Sequence, residues 1–423
     1  MQKSELVEYI KNGSLDNILV DIYCDEKKLD YQSARYIAAC EKFEQLYGGG
    51  DLKIFSAPGR IEIIGNHTDH QHGKVIAASI NADAIAVVKK TEDDLVRIVS
   101  GDNPEIKIDI NALAISEEEQ KSTTALIKGM LNGLKDMGYV LGGFGAYITS
   151  DIPVGSAFAS SAAFETLLGN IVSGLFNDMK ISAREIAQIG QYSENIYFGK
   201  PSGLMDQTAC SVGGFVYIDF SNPADPLIEK IPFGMTEYSV CITDIKRSST
   251  EQNTEYALIV AEMKSVANEL GKEFLNDVDK NEFEKNIAVL REKCSDRAIL
   301  RAMHFFEENE RVCEVYEALQ KGDMKLFIKN ENESGNSSFM YLQNVCSPSE
   351  YLKQDLSLAL AVSESVLSDD EACRIHSYGF SGVMEAFVKN ENVENYKARM
   401  EEVFPDCICS VNRVREKGGI CVI

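Results

Sequence analysis

The chain has 423 residues, enough for two or more domains with substantial hydrophobic cores. Its 66 acidic residues outnumber its 42 basic residues, and the formal net charge of −24 argues against nucleic acid and anionic membranes as partners. The 11 cysteines are scattered without a C-x-x-C pair, which is typical of a reduced protein. No apolar run is long enough to cross a bilayer, and the charged N-terminus does not resemble a signal peptide. We therefore expect a cytoplasmic protein.

Hydrophobic periodicity predicts helices and strands that alternate along the chain. Residues 3–47 have helical spacing, and the glycines at 48–50 end the last of these helices. Strand-like runs then cover 53–65, 75–90, 95–101, 106–110, 145–153 and 213–220, with helices at 124–138, 160–176 and 182–197. After about residue 230 the pattern becomes largely helical, over 252–270, 282–320, 324–335 and 348–366. Two late strand regions, 374–388 and 408–423, flank a last helix.

Several of the predicted strands are close neighbours in sequence and are therefore expected to pair antiparallel. This arrangement is typical of an α+β fold rather than a doubly wound parallel sheet. We predict three regions: a helical N-terminal extension over residues 1–50 packed on the first domain, an N-terminal α+β domain over 51–235, and a C-terminal α+β domain over 236–423.

The segment 57–73, APGRIEIIGNHTDHQHG, is dense in hydrogen-bonding side chains. Three of the five histidines lie within six residues of one another, and Arg60 precedes them in a Pro-Gly-Arg turn. The histidines could bind a metal, although their spacing fits no structural zinc pattern. They could also belong to a polar turn between two strands. By pattern alone the turn ranks ahead of a metal site, and a site for a hydroxyl-rich ligand ranks behind both.

The segment 151–165, DIPVGSAFASSAAFE, has the character of a phosphate-binding loop. A predicted strand ends at Pro153, small residues follow, and an alanine-rich helix begins near Ser160. The first turn of a helix has unpaired N–H groups and a dipole that favours anions, and small side chains let phosphates approach the backbone. The lysine of a Walker loop is missing. The alternative is a well-capped helix start without a ligand.

The segment 193–220, SENIYFGKPSGLMDQTACSVGGFVYIDF, carries two acidic candidates in a region between a predicted helix and a predicted strand. Glu194 lies near the end of the helix, and Asp206 follows a Pro-Ser-Gly turn. Catalytic residues often occupy such connections. The alternatives are a surface glutamate and an aspartate that caps a helix.

Together these three segments resemble galactokinases, which belong to a wider family of small-molecule kinases that includes homoserine and mevalonate kinases. The family's sugar motif E-H-T-D, its loop P-x-G-x-G-L-x-S-S-A and its phrase G-I-M-D-Q have counterparts here as N-H-T-D, PVGSAFASSA and G-L-M-D-Q. The resemblance runs from roughly residue 42 to the end. It implies a two-domain α+β fold with the active site between the domains, extra N-terminal helices, and the use of ATP and Mg²⁺.

The resemblance also implies roles for individual residues. Asp206 would contact the reacting hydroxyl, with Arg60 beside it and the transferring phosphoryl group. The residues implied for the sugar are Asn66, His67, Thr68, Asp69, Gly203 and Tyr256. Those implied for the nucleotide are Pro153, Gly155, Ser156, Ala157, Phe158, Ala159, Ser160 and Ser161, and those for Mg²⁺ are Ser161 and Glu194.

Some positions depart from the family pattern. Ala157 replaces the second glycine of the phosphate loop, and Phe158 replaces the leucine. In a third motif, RIHSYGFSGVMEAFV, the residues Ser377, Tyr378 and Ser381 stand where glycines are usual. These changes leave open a catalytically weak protein that senses sugar and ATP.

Asn66 stands where galactokinases usually have a glutamate that meets the sugar near its C6 hydroxyl. An amide removes that negative charge but still donates and accepts hydrogen bonds. We therefore expect a sugar-1-kinase acting on galactose, with galacturonate or another sugar as the alternative substrate. The expected partners are a small-molecule sugar and ATP, and a monomer is slightly favoured.

Overall fold

The computed structural model describes residues 1–152, 158–246, 252–377, 379–380 and 382–423. The helices are α1 Lys3–Lys11, α2 Asp16–Tyr23, α3 Leu29–Tyr47, α4 Thr123–Asp136, α5 Ser160–Phe176, α6 Ala183–Tyr192, α7 Met205–Val212, α8 Gln252–Glu269, α9 Lys280–Leu290, α10 Asp296–Lys321, α11 Met324–Ser337, α12 Asp355–Glu364 and α13 Val393–Val403. The strands are β1 Lys53–Ile64, β2 Lys74–Lys90, β3 Leu95–Ser100, β4 Ile106–Asp109, β5 Phe144–Ser150, β6 Phe215–Asp219, β7 Leu227–Ile231, β8 Tyr238–Asp244, β9 Ala372–Ile375, β10 Val383–Lys389, β11 Ile408–Asn412 and β12 Ile420–Cys421. This mixture of helices with largely antiparallel strands confirms the predicted α+β class.

The chain forms two compact units, each built from segments that are far apart in sequence. The first unit comprises Met1–Arg60, Ala78–Gly214 and Val414–Ile423. The second unit comprises Ile61–Ala77 and Phe215–Arg413. The domain limits at residues 50 and 235 remain a prediction from the sequence.

The first unit contains a sheet with the strand order β12-β1-β2-β5-β3-β4. β2 and β5 run antiparallel, with Ala84 opposite Ser150. β3 and β5 run parallel, with Ser100 opposite Ile148. β5 therefore lies inside the sheet and ends directly before the segment 151–165, which carries the predicted phosphate motif.

Consecutive residues within β1, and within β2, pack in different hydrophobic cores because side chains alternate between the two faces of a sheet. Phe55 and Val88 pack with apolar residues of α4, α5 and α6. Ile54 and Val87 pack with Leu19 and other buried residues of α1, α2 and α3. The helices α1, α2 and α3 therefore form a helical layer on one face of the sheet.

The second unit contains a four-stranded antiparallel sheet in the order β11-β8-β10-β9. Val240 of β8 lies opposite Phe387 of β10 and Asn412 of β11. The helices α12 and α13 pack on this sheet through Leu356 and Tyr396. A separate core forms among α8, α9 and α10.

Three predictions for the C-terminal half differ from the structure. The expected helix over 282–320 is divided into α9 and α10, because the Ser295 Oγ accepts a hydrogen bond from the N–H of Ala298 at 3.1 Å and caps a new helix. The expected helix over 348–366 forms a single turn and then α12, which begins only at Asp355. The sequence also does not predict β8, which lies in a region expected to be helical. In the described part of the chain, no helix is both long and apolar enough to cross a membrane.

Candidate active site

Arg60 and Asp206 form an ion pair in the first unit. Arg60 lies near the end of β1, and Asp206 lies in the first turn of α7. The Nε of Arg60 donates to Oδ1 of Asp206 at 2.7 Å, and the arginine side chain is 6% exposed whereas the aspartate side chain is 31% exposed. The structure thus brings together the two groups predicted to act in catalysis, and the carboxylate is the more accessible of the two.

Ser161 and Glu194 form a second polar pair in the same unit. The Oγ of Ser161, in the first turn of α5, donates to Oε1 of Glu194 at 2.7 Å. Glu194 is buried in the π-helical turn Ser193–Phe198, and the Nζ of Lys200 lies 3.5 Å from the same carboxylate oxygen. The two residues predicted to bind Mg²⁺ are therefore neighbours.

This oxygen pair fits a Mg²⁺ ion that phosphate groups also coordinate. Mg²⁺ prefers one or two protein carboxylate or hydroxyl oxygens together with phosphate and water. Among the residues that the structure describes, no group of three or more His, Cys, Asp or Glu side chains could hold a metal by itself. A cation held by Ser161 and Glu194 would take its remaining ligands from water or from phosphate groups.

A buried carboxyl group behind this pair was missed in the sequence. Glu165 is fully buried, and the Nε2 of Gln207 lies 3.2 Å from both Glu165 Oε2 and Glu194 Oε2. Burial, together with the nearby Glu194, raises the pKa of Glu165 well above its usual range. Glu165 follows Ser161 by four residues and so lies on the same side of α5, which is the sequence signal that could have found it.

The predicted phosphate segment is described only in part. Pro153, Gly155, Ser156 and Ala157 lie outside the described residues. Phe158 is buried, and its carbonyl oxygen accepts a hydrogen bond from the N–H of Arg60 at 3.1 Å. Ala159 has a φ of +54° and precedes α5, which begins at Ser160. The first turn of an α-helix has N–H groups without partners inside the helix, and such groups commonly bind anions.

Asn66, in the second unit, is completely buried, and its amide is occupied by protein groups. Its Nδ2 donates to Oε1 of Glu62 at 2.9 Å and to the carbonyl of Ser377. Its Oδ1 accepts a hydrogen bond from Nδ2 of Asn344 at 2.9 Å. Asn66 therefore joins β1 to the third motif, and a direct contact between its side chain and a sugar remains a prediction.

His67 and Tyr256, both predicted to bind the sugar, are neighbours in the second unit. Their ring centroids are 5.4 Å apart, and the ring of His70 lies 5.6 Å from that of His67. Burial lowers the pKa of His70 to about 3, so this histidine is neutral near pH 7. The group presents two imidazoles and a half-exposed phenol ring, which suits a hydroxyl-rich ligand.

The remaining predicted sugar residues differ in their surroundings. The Oγ1 of Thr68 lies 2.8 Å from the carbonyl oxygen of Gly65, so this hydroxyl stabilises the turn. Asp69 is half-buried, and its Oδ1 accepts a hydrogen bond from the N–H of His70 at 2.8 Å. Gly203 is exposed in the connection that leads to α7 in the first unit.

Residues of α10 that the sequence did not indicate hold the backbone of the sugar motif. The Oε1 of Glu308 accepts hydrogen bonds from the N–H groups of Gly65 at 3.1 Å and Asn66 at 3.3 Å. The Nε2 of His304 lies 2.9 Å from the carbonyl oxygen of Asn66. The i, i+4 spacing of His304 and Glu308 places both on one side of a helix, a pattern that was visible in the sequence but had no predicted partner.

Two stretches of the chain match known family signatures. Residues 41–90 match the galactokinase galactose-binding signature. Residues 125–214 match the GHMP kinases N terminal domain. The first match contains the sugar motif and the second contains Ser161, Glu194 and Asp206.

Similarity to individual proteins extends over most of the chain. The galactokinase of Lactobacillus helveticus is 28% identical over 375 residues, which cover 87% of this chain and 94% of the relative. The galactokinase of Clostridium tetani is 28% identical over 364 residues, which cover 85% of this chain and 90% of the relative. The crystal structure of Lactococcus lactis galactokinase complexed with galactose matches 90% of this chain and 97% of that chain, with a TM-score of 0.76 and 24% identity. These matches confirm the predicted fold and the predicted resemblance.

Proposed function

Because this chain is a sugar kinase related to the galactokinases, we propose that it transfers the γ-phosphoryl group of ATP to the anomeric hydroxyl of galactose, giving galactose 1-phosphate. The observation that carries this proposal is the 2.7 Å contact between Arg60 and Asp206 in a chain that also matches a galactose-binding signature. ATP and a free sugar are the proposed partners, and the cytoplasm is the proposed location.

Asp206 is proposed to orient the reacting hydroxyl and to accept its proton late in the transfer. A guanidinium group beside a carboxylate favours the ionised carboxylate and makes it a weak base. Phosphoryl transfer tolerates a weak base because its transition state is largely dissociative. Arg60 would then stabilise the negative charge that develops on the phosphoryl oxygens.

The nucleotide is proposed to bind at the N-terminus of α5 and the preceding residues 153–159. Ser161 and Glu194 would hold Mg²⁺, whose chemical contribution is to neutralise negative charge on the phosphate oxygens. The 2.7 Å contact between these two side chains supports this assignment. Gln207 holds the second oxygen of Glu194 and keeps the carboxylate oriented.

The sugar is proposed to contact His67, Asp69 and Tyr256, with Gly203 close to the reacting end. These groups offer aromatic surface together with hydrogen-bond donors and acceptors, as hydroxyl-rich ligands require. Thr68 and Asn66 would act mainly on the conformation of the motif, since their polar atoms contact protein groups.

Galacturonate is the alternative substrate, and Asn66 is the observation that favours it. The amide at this position does not repel a carboxylate on the sugar, whereas the usual glutamate would. The carboxylate of Glu62 lies 2.9 Å from the Asn66 amide and 3.6 Å from the Arg374 guanidinium, so its partners are protein groups. A sugar and ATP sensor with weak catalysis is the second alternative, because Ala157 and Tyr378 replace small glycines in the family motifs.

The proposal is tested by measuring ADP release from ATP and Mg²⁺ with galactose, galacturonate, N-acetylgalactosamine and glucose. We expect the highest kcat/KM with galactose. Turnover on galacturonate alone would replace the proposed substrate with the alternative. Binding of sugar and ATP without turnover on any of the four would support the sensor.

A further inference from the structure

Most of the N-terminal helical region precedes the part of the chain that matches the galactose-binding signature. The match to the galactose-binding signature begins at residue 41, so α1, α2 and the first three turns of α3 lie outside it. These helices are nevertheless integral to the first unit, because Leu6, Leu19 and Tyr36 are fully buried against it. Their burial explains stability but assigns them no role in the reaction.

Three side chains at the start of α3 converge on one carboxylate. The Oη of Tyr31 donates to Oδ1 of Asp151 at 2.9 Å, and the Nε2 of Gln32 donates to Oδ2 of Asp151 at 3.0 Å. The Nη1 of Arg35 lies 3.0 Å from the same Oδ2. Asp151 follows the last residue of β5, so these contacts fix the end of that strand.

Arg35 extends this anchor into the sheet. Its Nη1 donates to Oδ1 of Asp83 at 2.7 Å, and its Nη2 donates to the carbonyl oxygens of Asp83 at 2.9 Å and Thr149 at 3.1 Å. Asp83 is fully buried in β2; burial opposes its ionisation, but Arg35 and Arg415 hold its pKa below the usual range. One guanidinium group therefore connects β2, β5 and the connection that follows β5.

Asp151 stands directly before the residues with the nucleotide motif, 153–161. The carbonyl oxygen of Phe158, within that stretch, is bound by the N–H of Arg60 at 3.1 Å. The chain is thus held at Asp151 by α3 and at Phe158 by β1. Arg60, which holds Phe158, lies within the stretch that matches the galactose-binding signature. The residues of α3 that hold Asp151 lie before that stretch.

We propose that Tyr31, Gln32 and Arg35 are positioning residues for the nucleotide: by fixing Asp151 they set the direction in which the chain leaves β5 and enters the phosphate-binding segment. This inference rests on the proposed ATP-dependent function. It gives the N-terminal helices a part in ATP binding in addition to their part in the core. Nucleotide binding should then depend on the hydroxyl of Tyr31, which donates to the Asp151 carboxylate.

The test uses the full chain and the variants Tyr31→Phe and Asp151→Ala. Tyr31→Phe removes one hydroxyl from a side chain that is 59% exposed, so the core is unchanged. Tyr351→Phe is the matched control, because this tyrosine is 69% exposed and belongs to the second unit. The readouts are the Kd of ADP with Mg²⁺ by calorimetry, the KM for ATP, the KM for galactose and kcat.

We expect the Kd of ADP and the KM for ATP to rise about three-fold in Tyr31→Phe and about ten-fold in Asp151→Ala, since hydrogen bonds to a charged acceptor are among the stronger ones. The KM for galactose, kcat and the Tyr351→Phe control should change less than about two-fold, which is within the effect of a neutral surface change. A lower melting temperature with unchanged ADP affinity in both variants would overturn the inference. If the unmodified protein bound no ADP, the proposed function itself would fail first, so the two failures are distinguishable.

Discussion

Asn66 illustrates what a single residue reveals when its surroundings are known. The sequence predicted that its side chain would select the sugar by direct contact. In the structure the side chain is completely buried, and its amide lies between the Glu62 carboxylate and Asn344. Any effect of position 66 on sugar choice must therefore include Glu62, because the two side chains share a hydrogen bond.

A prediction for this residue concerns the variant Asn66→Glu. The new carboxylate would lie against Glu62, and we expect a loss of roughly 3 kcal/mol in the free energy of unfolding, because an unpaired buried charge is strongly destabilising. The double variant Glu62→Gln/Asn66→Glu should recover most of that loss. It should also raise the preference for galactose over galacturonate, measured as the ratio of the two kcat/KM values. An unchanged ratio in the stable double variant would remove this pair as the selector.

At the scale of secondary structure elements, α10 was only partly predictable. Its helical pattern is clear in the sequence, but the cap at Ser295 that separates it from α9 was read as helix interior. The contacts of Glu308 and His304 with the sugar motif join residues more than 200 positions apart in sequence. No local pattern specifies such a contact, whereas the helical face that carries both residues could be deduced from their spacing.

Glu308→Gln tests the role of α10. Burial alone would raise the pKa of Glu308. Interactions with neighbouring groups, among them His304 and Arg311, outweigh burial and lower this pKa to about 2. A lowered carboxyl pKa stabilises the fold above the ordinary pKa near 4.5 and loses that effect as the pH falls toward 2. At pH 7 the free energy of unfolding of Glu308→Gln should therefore be about 3 kcal/mol lower than that of the unmodified protein. At pH 3.5 the difference between the two proteins should be smaller.

The measurement is urea denaturation at both pH values, with Glu310→Gln as the matched control. The Glu310 side chain lies on the same helix and is 60% exposed. Glu310→Gln should therefore lower the free energy of unfolding by less than about 0.5 kcal/mol. A Glu308→Gln variant as stable as this control at pH 7 would show that the carboxylate does not hold the sugar motif in place.

β8 shows why a strand in the interior of a sheet is hard to predict. Residues 238–243 are buried without interruption, so the strand lacks the polar–apolar alternation that marks a half-exposed strand. A short apolar run of this kind is compatible with a buried helix as well. Its two antiparallel neighbours, β10 and β11, decide the outcome, and both lie more than 130 residues later in the chain.

For the whole molecule, the motifs predicted which polar side chains lie together better than they predicted which segments form each unit. The pairs Arg60–Asp206 and Ser161–Glu194 were expected from the resemblance and are found at 2.7 Å each. The composition of the two units was not predicted, since residues 414–423 join the first unit and residues 61–77 join the second. Pairings such as Phe55 opposite Cys421 depend on the complete fold and leave no local trace in the sequence.

The most direct test of the central claim compares galactose-dependent ADP release by the unmodified protein and by Asp206→Ala, with galactose binding measured by calorimetry in parallel. Asp206 is the accessible carboxylate of the ion pair with Arg60 and is proposed to orient the reacting hydroxyl. We predict that the variant loses at least about 100-fold in kcat, the lower range for a positioned acid–base group, while galactose binding remains measurable. Turnover that survives in Asp206→Ala, or an unmodified protein that releases no ADP in response to galactose, would contradict the account.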